Sequence, residues 1–176
     1  MKKQNSTINL AHAAMFLAMA FVMPFLTGQI PKIGSMLCPM HIPVILCGYI
    51  CGAPWGLVVG FIAPLLRSFT LGVPKLFPTA FAMAFELAVY GFASGLFYRL
   101  FSKKTVNIYT SLVLSMISGR LVWGIVQLFC VGLDTTKFSI SVFWTSAVFN
   151  ALPGIAIQLI LIPIVITIYE RTKPLK

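Results

Sequence analysis

Acidic residues are scarce in this chain: three Asp and Glu in 176 residues, against thirteen Lys and Arg. Only Glu86 lies within a long apolar run, so metal-dependent transfer chemistry, which needs clustered carboxylates, has almost nothing to work with. No G-x-x-x-x-G-K-[ST] phosphate loop occurs, so the chain has no means of hydrolysing ATP by itself. H-E-x-x-H and G-x-S-x-G are also missing, and no metal site or enzyme is expected. The cysteines, Cys38, Cys47, Cys51 and Cys130, lack C-x-x-C spacing and read as small apolar packing residues. No internal repeat is visible, which argues against secondary-transporter folds built from two related halves.

Charge of either sign is short as well. Charged residues make up 9% of the chain and hydrophobic ones 59%, whereas soluble domains carry about 25% charged residues. A chain this apolar has too little polar surface to face water, so its solvent is lipid. A transmembrane helix takes roughly 20 residues, which allows at most six spans and leaves no room for a soluble domain; residues 1–176 are expected to form one unit. The net charge of +10 could suggest nucleic acid, but the basic residues form short clusters between apolar runs, without a basic stripe interleaved with aromatics.

What is present is a series of six apolar segments, at about Ile8–Leu26, Pro39–Gly52, Trp55–Leu71, Pro78–Phe101, Val106–Val131 and Ile140–Ile168. They predict an all-α integral membrane protein, a bundle of six transmembrane helices. The first segment follows Met-Lys-Lys and reads as a span rather than a signal peptide. With the N-terminus inside, the cytoplasmic side receives Lys2, Lys3, Arg99, Lys103, Lys104, Arg171, Lys173 and Lys176. The outer side receives only Lys32, Lys75 and Lys137. This positive-inside bias places both termini in the cytoplasm.

Ionisable groups inside spans cost at least roughly 2.5 to 3.5 kcal/mol each and are functional candidates by default. Counting along the six spans puts His41, Arg67, Glu86, Arg120 and Asn150 in the outer half, on five different segments. Tyr90 and Trp123 follow Glu86 and Arg120 by about one turn and share their faces. The inner half offers no equivalent set. This asymmetry predicts an outward-opening binding site lined by donors and one carboxylate. Two span arginines against one Glu leave an excess positive charge, which favours an anionic solute held by Arg. An internal ion pair between Glu86 and either arginine is the structural alternative. A channel would need polar residues through its full depth, and a scaffold would use the same charges for packing alone. Ala14 and Ala18, with Ala11 on nearly the same face, form a small-residue stripe suited to close helix approach, inside the bundle or against a partner.

Several stretches resemble the substrate-binding S components of energy-coupling factor (ECF) vitamin transporters. These are Leu37-Cys-Pro-Met-His-Ile-Pro-Val-Ile-Leu-Cys-Gly, Gly56-Leu-Val-Val-Gly-Phe-Ile-Ala-Pro-Leu-Leu-Arg-Ser, Phe77-Pro-Thr-Ala and Ala84-Phe-Glu-Leu-Ala. The Ala14-x-x-x-Ala18 pair is similar to the family's docking motif on the first span. The resemblance implies a multi-pass protein of a bacterial cell membrane that captures a small water-soluble vitamin from outside and topples to release it inside. It implies a transmembrane coupling subunit and two cytoplasmic ATPases as partners, with ATP used by them alone and no cofactor on this chain. The segment from Thr27 to Cys38 would cap the pocket. Among the family's vitamins the two arginines favour pantothenate, with pyridoxine, the thiamin pyrimidine precursor and a queuosine precursor as alternatives.

Overall fold

The computed structural model describes residues 6–27, 36–101, 105–131 and 152–172. Among the described residues it is all helical, and the boundaries follow from local backbone chemistry. Helix α1 runs Ser6–Val22 and tightens into a 3₁₀ turn, Met23–Thr27, where Pro24 brings no N–H to continue the ladder. Helix α2, His41–Cys51, ends at Gly52, whose φ of 100° is open mainly to glycine. Helix α3, Ala53–Leu71, starts at once with Pro54 in its first turn, where the missing N–H costs nothing. Its end is capped by Gly72 in the left-handed region, which donates its N–H to Ser68 O at 3.0 Å. A wide turn, Leu76–Ala80, leads into α4, Phe81–Leu100, and α5 and α6 span Thr105–Val131 and Leu152–Thr172.

Five of these helices are long and apolar enough to cross a membrane. The sixth, α2, is not. Its 11 residues cover about 16 Å at 1.5 Å per residue, roughly half of a 30 Å hydrocarbon core. Among the described residues there are therefore five helices of spanning length and one half-length helix, α2, which is the segment expected to be short because its apolar run from Pro39 stops at Gly52. The last helix begins at Leu152 among the described residues; residues 140–151, part of its expected range, lie outside them.

Half-length α2 is nearly all core. Every residue from His41 to Tyr49 is buried, packed against α1, α3, α4 and α6. The closest contacts form a glycine seam. A methyl built on Gly91 of α4 would overlap Gly56 O of α3, and one built on Gly60 would overlap Leu87 O. Gly48 of α2 meets Gly91 O in the same way. Small residues four apart, Gly56–Gly60 and Gly91–Gly95, let the three backbones touch, as in other membrane helix pairs. The outer faces of the bundle present large apolar side chains, Phe129 of α5 at 81% exposure and Phe69 of α3 at 73% among them. In lipid these are solvated faces.

Candidate functional site

Helices α2, α4 and α5 bring a compact set of polar groups together at the end of the bundle away from Arg99 and Arg171, here termed the far end. Glu86, in the second turn of α4, is 2% exposed, and its Oε1 lies 2.9 Å from Arg120 Nη1 of α5. His41 opens α2, is 4% exposed, and holds Nε2 at 3.6 Å from the same oxygen. That distance is too long for a hydrogen bond. The Tyr90 ring meets the His41 ring edge-on, with centroids 5.1 Å apart, and Tyr90 lies one turn along α4 from Glu86. The other side of that ring rests on Gly119, where a methyl would come within 3.0 Å of three ring atoms. Trp123 is half-buried on the next turn of α5.

Cys38 completes the cluster, and the sequence reading did not assign it there. Its Sγ takes a contact from Arg120 Nη2 at 3.7 Å, and its φ of 46° lies in the left-handed region rarely used outside glycine. Such conformations persist only where surrounding structure holds them, and they concentrate at functional sites. His41 N–H closes the turn by donating to Cys38 O at 3.1 Å. The signal for Cys38 was its place three residues before His41, between Leu37 and Pro39.

Several buried polar atoms here have no hydrogen bond: both ring nitrogens of His41, Arg120 Nε, and Glu86 Oε1, which faces Arg120 as an ion without the alignment of a hydrogen bond. Leaving a buried donor or acceptor unmade costs on the order of 1–3 kcal/mol each. A site holding several of them is preorganised for something that supplies the missing partners. Among the described residues, no group of three His, Cys, Asp or Glu converges as a metal site would require.

Arg67 does not join this set. It is buried, but its Nη1 donates to Phe21 O at 2.7 Å, in the last turn of α1. Its guanidinium lies 5.3 Å from the Phe25 ring centroid. The side chain projects toward α1, where it satisfies a carbonyl that the helix end leaves open. The expected excess of positive charge at the site is thereby removed. Asn150 lies outside the described residues, as does most of the expected capping segment, residues 28–35.

The near end, where the sequence offers no equivalent set, carries polar groups of its own. Tyr49 Oη lies 2.7 Å from Ser111 Oγ, and Tyr98 Oη donates to Glu170 Oε1 at 2.9 Å. Between the two levels Ile45 of α2 is fully buried and Met116 of α5 nearly so, and at the same depth the buried Ser94 Oγ donates to Ile45 O at 3.3 Å.

On α1, Ala11, Ala14 and Ala18 face outward, while Asn9, Ala13, Phe16 and Ala20 face the bundle. Ala14 and Ala18 border an apolar surface groove of about 400 Å³, with Leu66 and Thr70 of α3 on its other side.

The family model for the ECF transporter, substrate-specific component, matches residues 9–166. The chain belongs to that family. No curated protein and no solved structure matches the chain. This S component is therefore a membrane protein and a substrate-binding transporter subunit that works with an ECF module on a small-molecule substrate. Membership implies transport in place of enzymatic turnover.

Proposed function

We propose that this S component captures a small water-soluble vitamin or vitamin precursor outside a bacterial cell and delivers it inward by toppling in the membrane. A transmembrane coupling subunit and two cytoplasmic ATPases would be its partners, with ATP consumed by them alone. The far end is the outer end in this reading, given the bias of Lys and Arg toward the ends carrying Arg99 and Arg171. The observation that carries it is the buried cluster of His41, Glu86 and Arg120, in which both His41 ring nitrogens and Arg120 Nε lack a hydrogen bond beside the Glu86–Arg120 ion pair. A scaffold gains nothing from such atoms, whereas a receptor uses them. Pantothenate was favoured on two arginines, but the cluster holds one, and Glu86 already pairs with it.

The outward face of Ala11, Ala14 and Ala18 supplies the docking surface for the coupling subunit, because small side chains let a partner helix approach closely. Replacing Ala14 and Ala18 together by Leu tests this in cells carrying the coupling module. The double variant should lose uptake and fail to co-purify with the ATPases, while retaining the wild-type melting temperature and ligand response, because neither residue is buried. Unchanged uptake would exclude this face as the docking site.

A further inference from the structure

Arg67 puts a full positive charge into a lipid-facing bundle without a counter-charge. It is 2% exposed, and among the described residues no carboxylate lies within ion-pair distance of it. Phe21 O accepts one of its N–H groups at 2.7 Å, and the Phe25 ring centroid lies 5.3 Å from the guanidinium carbon. A helix-end carbonyl and a ring face supply only partial negative charge. The guanidinium keeps further N–H donors in a planar fork that suits phosphate. A cation placed in a span at such cost is a candidate binding group.

Beside it runs the surface groove of about 400 Å³ between α1 and α3. Along α1 the groove extends from Ala14 to Val22, about 12 Å at 1.5 Å per residue. It follows the helix axes, the direction in which acyl chains lie. Leu66 and Thr70 form its α3 wall, one residue before Arg67 and three after it, and Phe21, which holds Arg67, stands on the α1 wall. Thr70 turns its hydroxyl back onto Leu66 O at 2.8 Å, so the walls are almost wholly apolar. Arg67 borders the far end of this groove, four residues before α3 finishes at Leu71. That is about 6 Å from the helix end, within the reach of an arginine stem to the headgroup level.

We propose that this groove is a phospholipid site: an acyl chain lies between α1 and α3, and the headgroup phosphate of an anionic lipid pairs with Arg67. Arginine grips phosphate through two parallel hydrogen bonds, and the phosphate brings the negative charge that the described residues do not. A partner helix would need an acid at this one depth, whereas an anionic phospholipid always carries its charge at headgroup level. The groove shares Ala14 and Ala18 with the proposed docking face, so lipid fills it while the coupling subunit is absent. The site does not depend on which solute the chain captures.

The full-length chain, delipidated in detergent and titrated with phosphatidylglycerol or phosphatidylcholine of equal chain length, tests this by native mass spectrometry and thermal shift. The tightest-bound lipid on the wild type should be phosphatidylglycerol, preferred roughly fivefold, as one basic residue near a lipid surface provides. Arg67→Met should erase the preference, and Arg67→Lys should keep most of it. Ala14→Leu/Ala18→Leu fills the groove and should lose the tight lipid, while melting with wild type in lipid-free detergent. Equal affinity of the wild type for both lipids, or an unchanged preference in Arg67→Met, would overturn the proposal. Persistence of the tight lipid in the alanine variant would overturn it too, as would equal stabilisation by glycerol phosphate, which has the headgroup charge and no chain. The wild-type comparison and the alanine variant decide the matter even if Arg67→Met does not fold.

Discussion

Arg120→Ala should destabilise the bundle by about 3–5 kcal/mol, the usual cost of stranding a buried charge by deleting its partner. Glu86 is 2% exposed and has Arg120 at 2.9 Å, so deleting the guanidinium strands a carboxylate inside the bundle. The companion variant separates charge from packing. In Arg120→Ala/Glu86→Gln the stranded carboxylate is gone, and most of the lost stability should return, giving melting temperatures in the order wild type, double variant, single variant. Such non-additivity is expected only between groups that touch. Equal melting of the single and double variants would mean that the pair does not hold the helices together. Arg67→Met provides a contrast. It forfeits a charge-assisted hydrogen bond to Phe21 O, worth roughly 1.5–3 kcal/mol, and should leave any ligand response untouched.

The second large effect is expected at Gly91. A side chain there would overlap Gly56 O, and the atom in the way is backbone, which cannot swing aside. Gly91→Val must push α4 away from α3 and α2 along the whole seam. Overpacking in cores costs typically 1–3 kcal/mol, and a seam in which backbone meets backbone belongs at or above the top of that range. The variant should purify poorly in detergent or melt far below wild type. Gly72→Ala serves as the control. Nothing lies within 4 Å of its new methyl, and only its φ of 68° is strained, so the loss should stay near 1 kcal/mol. A Gly91→Val protein that melts with wild type would contradict the packing described for α3 and α4.

Much of this was legible in the sequence, and the remainder was hidden for identifiable reasons. The apolar runs, the turns at Gly52 and Gly72, and the equal depth of Glu86 and Arg120 could all be read by counting residues. Arg67 was misplaced because counting gives depth but not azimuth. Its position on α3 sends it to α1, and no periodicity in an all-apolar helix reveals which side faces the site. The short reach of α2 was legible too, because Gly52 and Pro54 bound its apolar run. The level formed by Tyr49, Ser111, Tyr98 and Glu170 went unseen because hydroxyls barely register in a count of charges. Cys38 enters the site through a backbone conformation that no composition predicts. The Gly56–Gly60 and Gly91–Gly95 spacings were in plain view and carry the closest helix contacts in the described bundle.

The central claim is that this chain, with neither coupling subunit nor ATPase present, binds a small solute at the His41–Glu86–Arg120 cluster. The direct measurement is a thermal-shift screen of the detergent-purified chain against water-soluble vitamins and their precursors, run on wild type and on Arg120→Ala/Glu86→Gln in parallel. A ligand at 100 times its dissociation constant should stabilise the wild-type fold by roughly 2.7 kcal/mol and leave the double variant unmoved. No shift across the panel with a folded wild-type protein, or an equal shift in both proteins, would contradict the account.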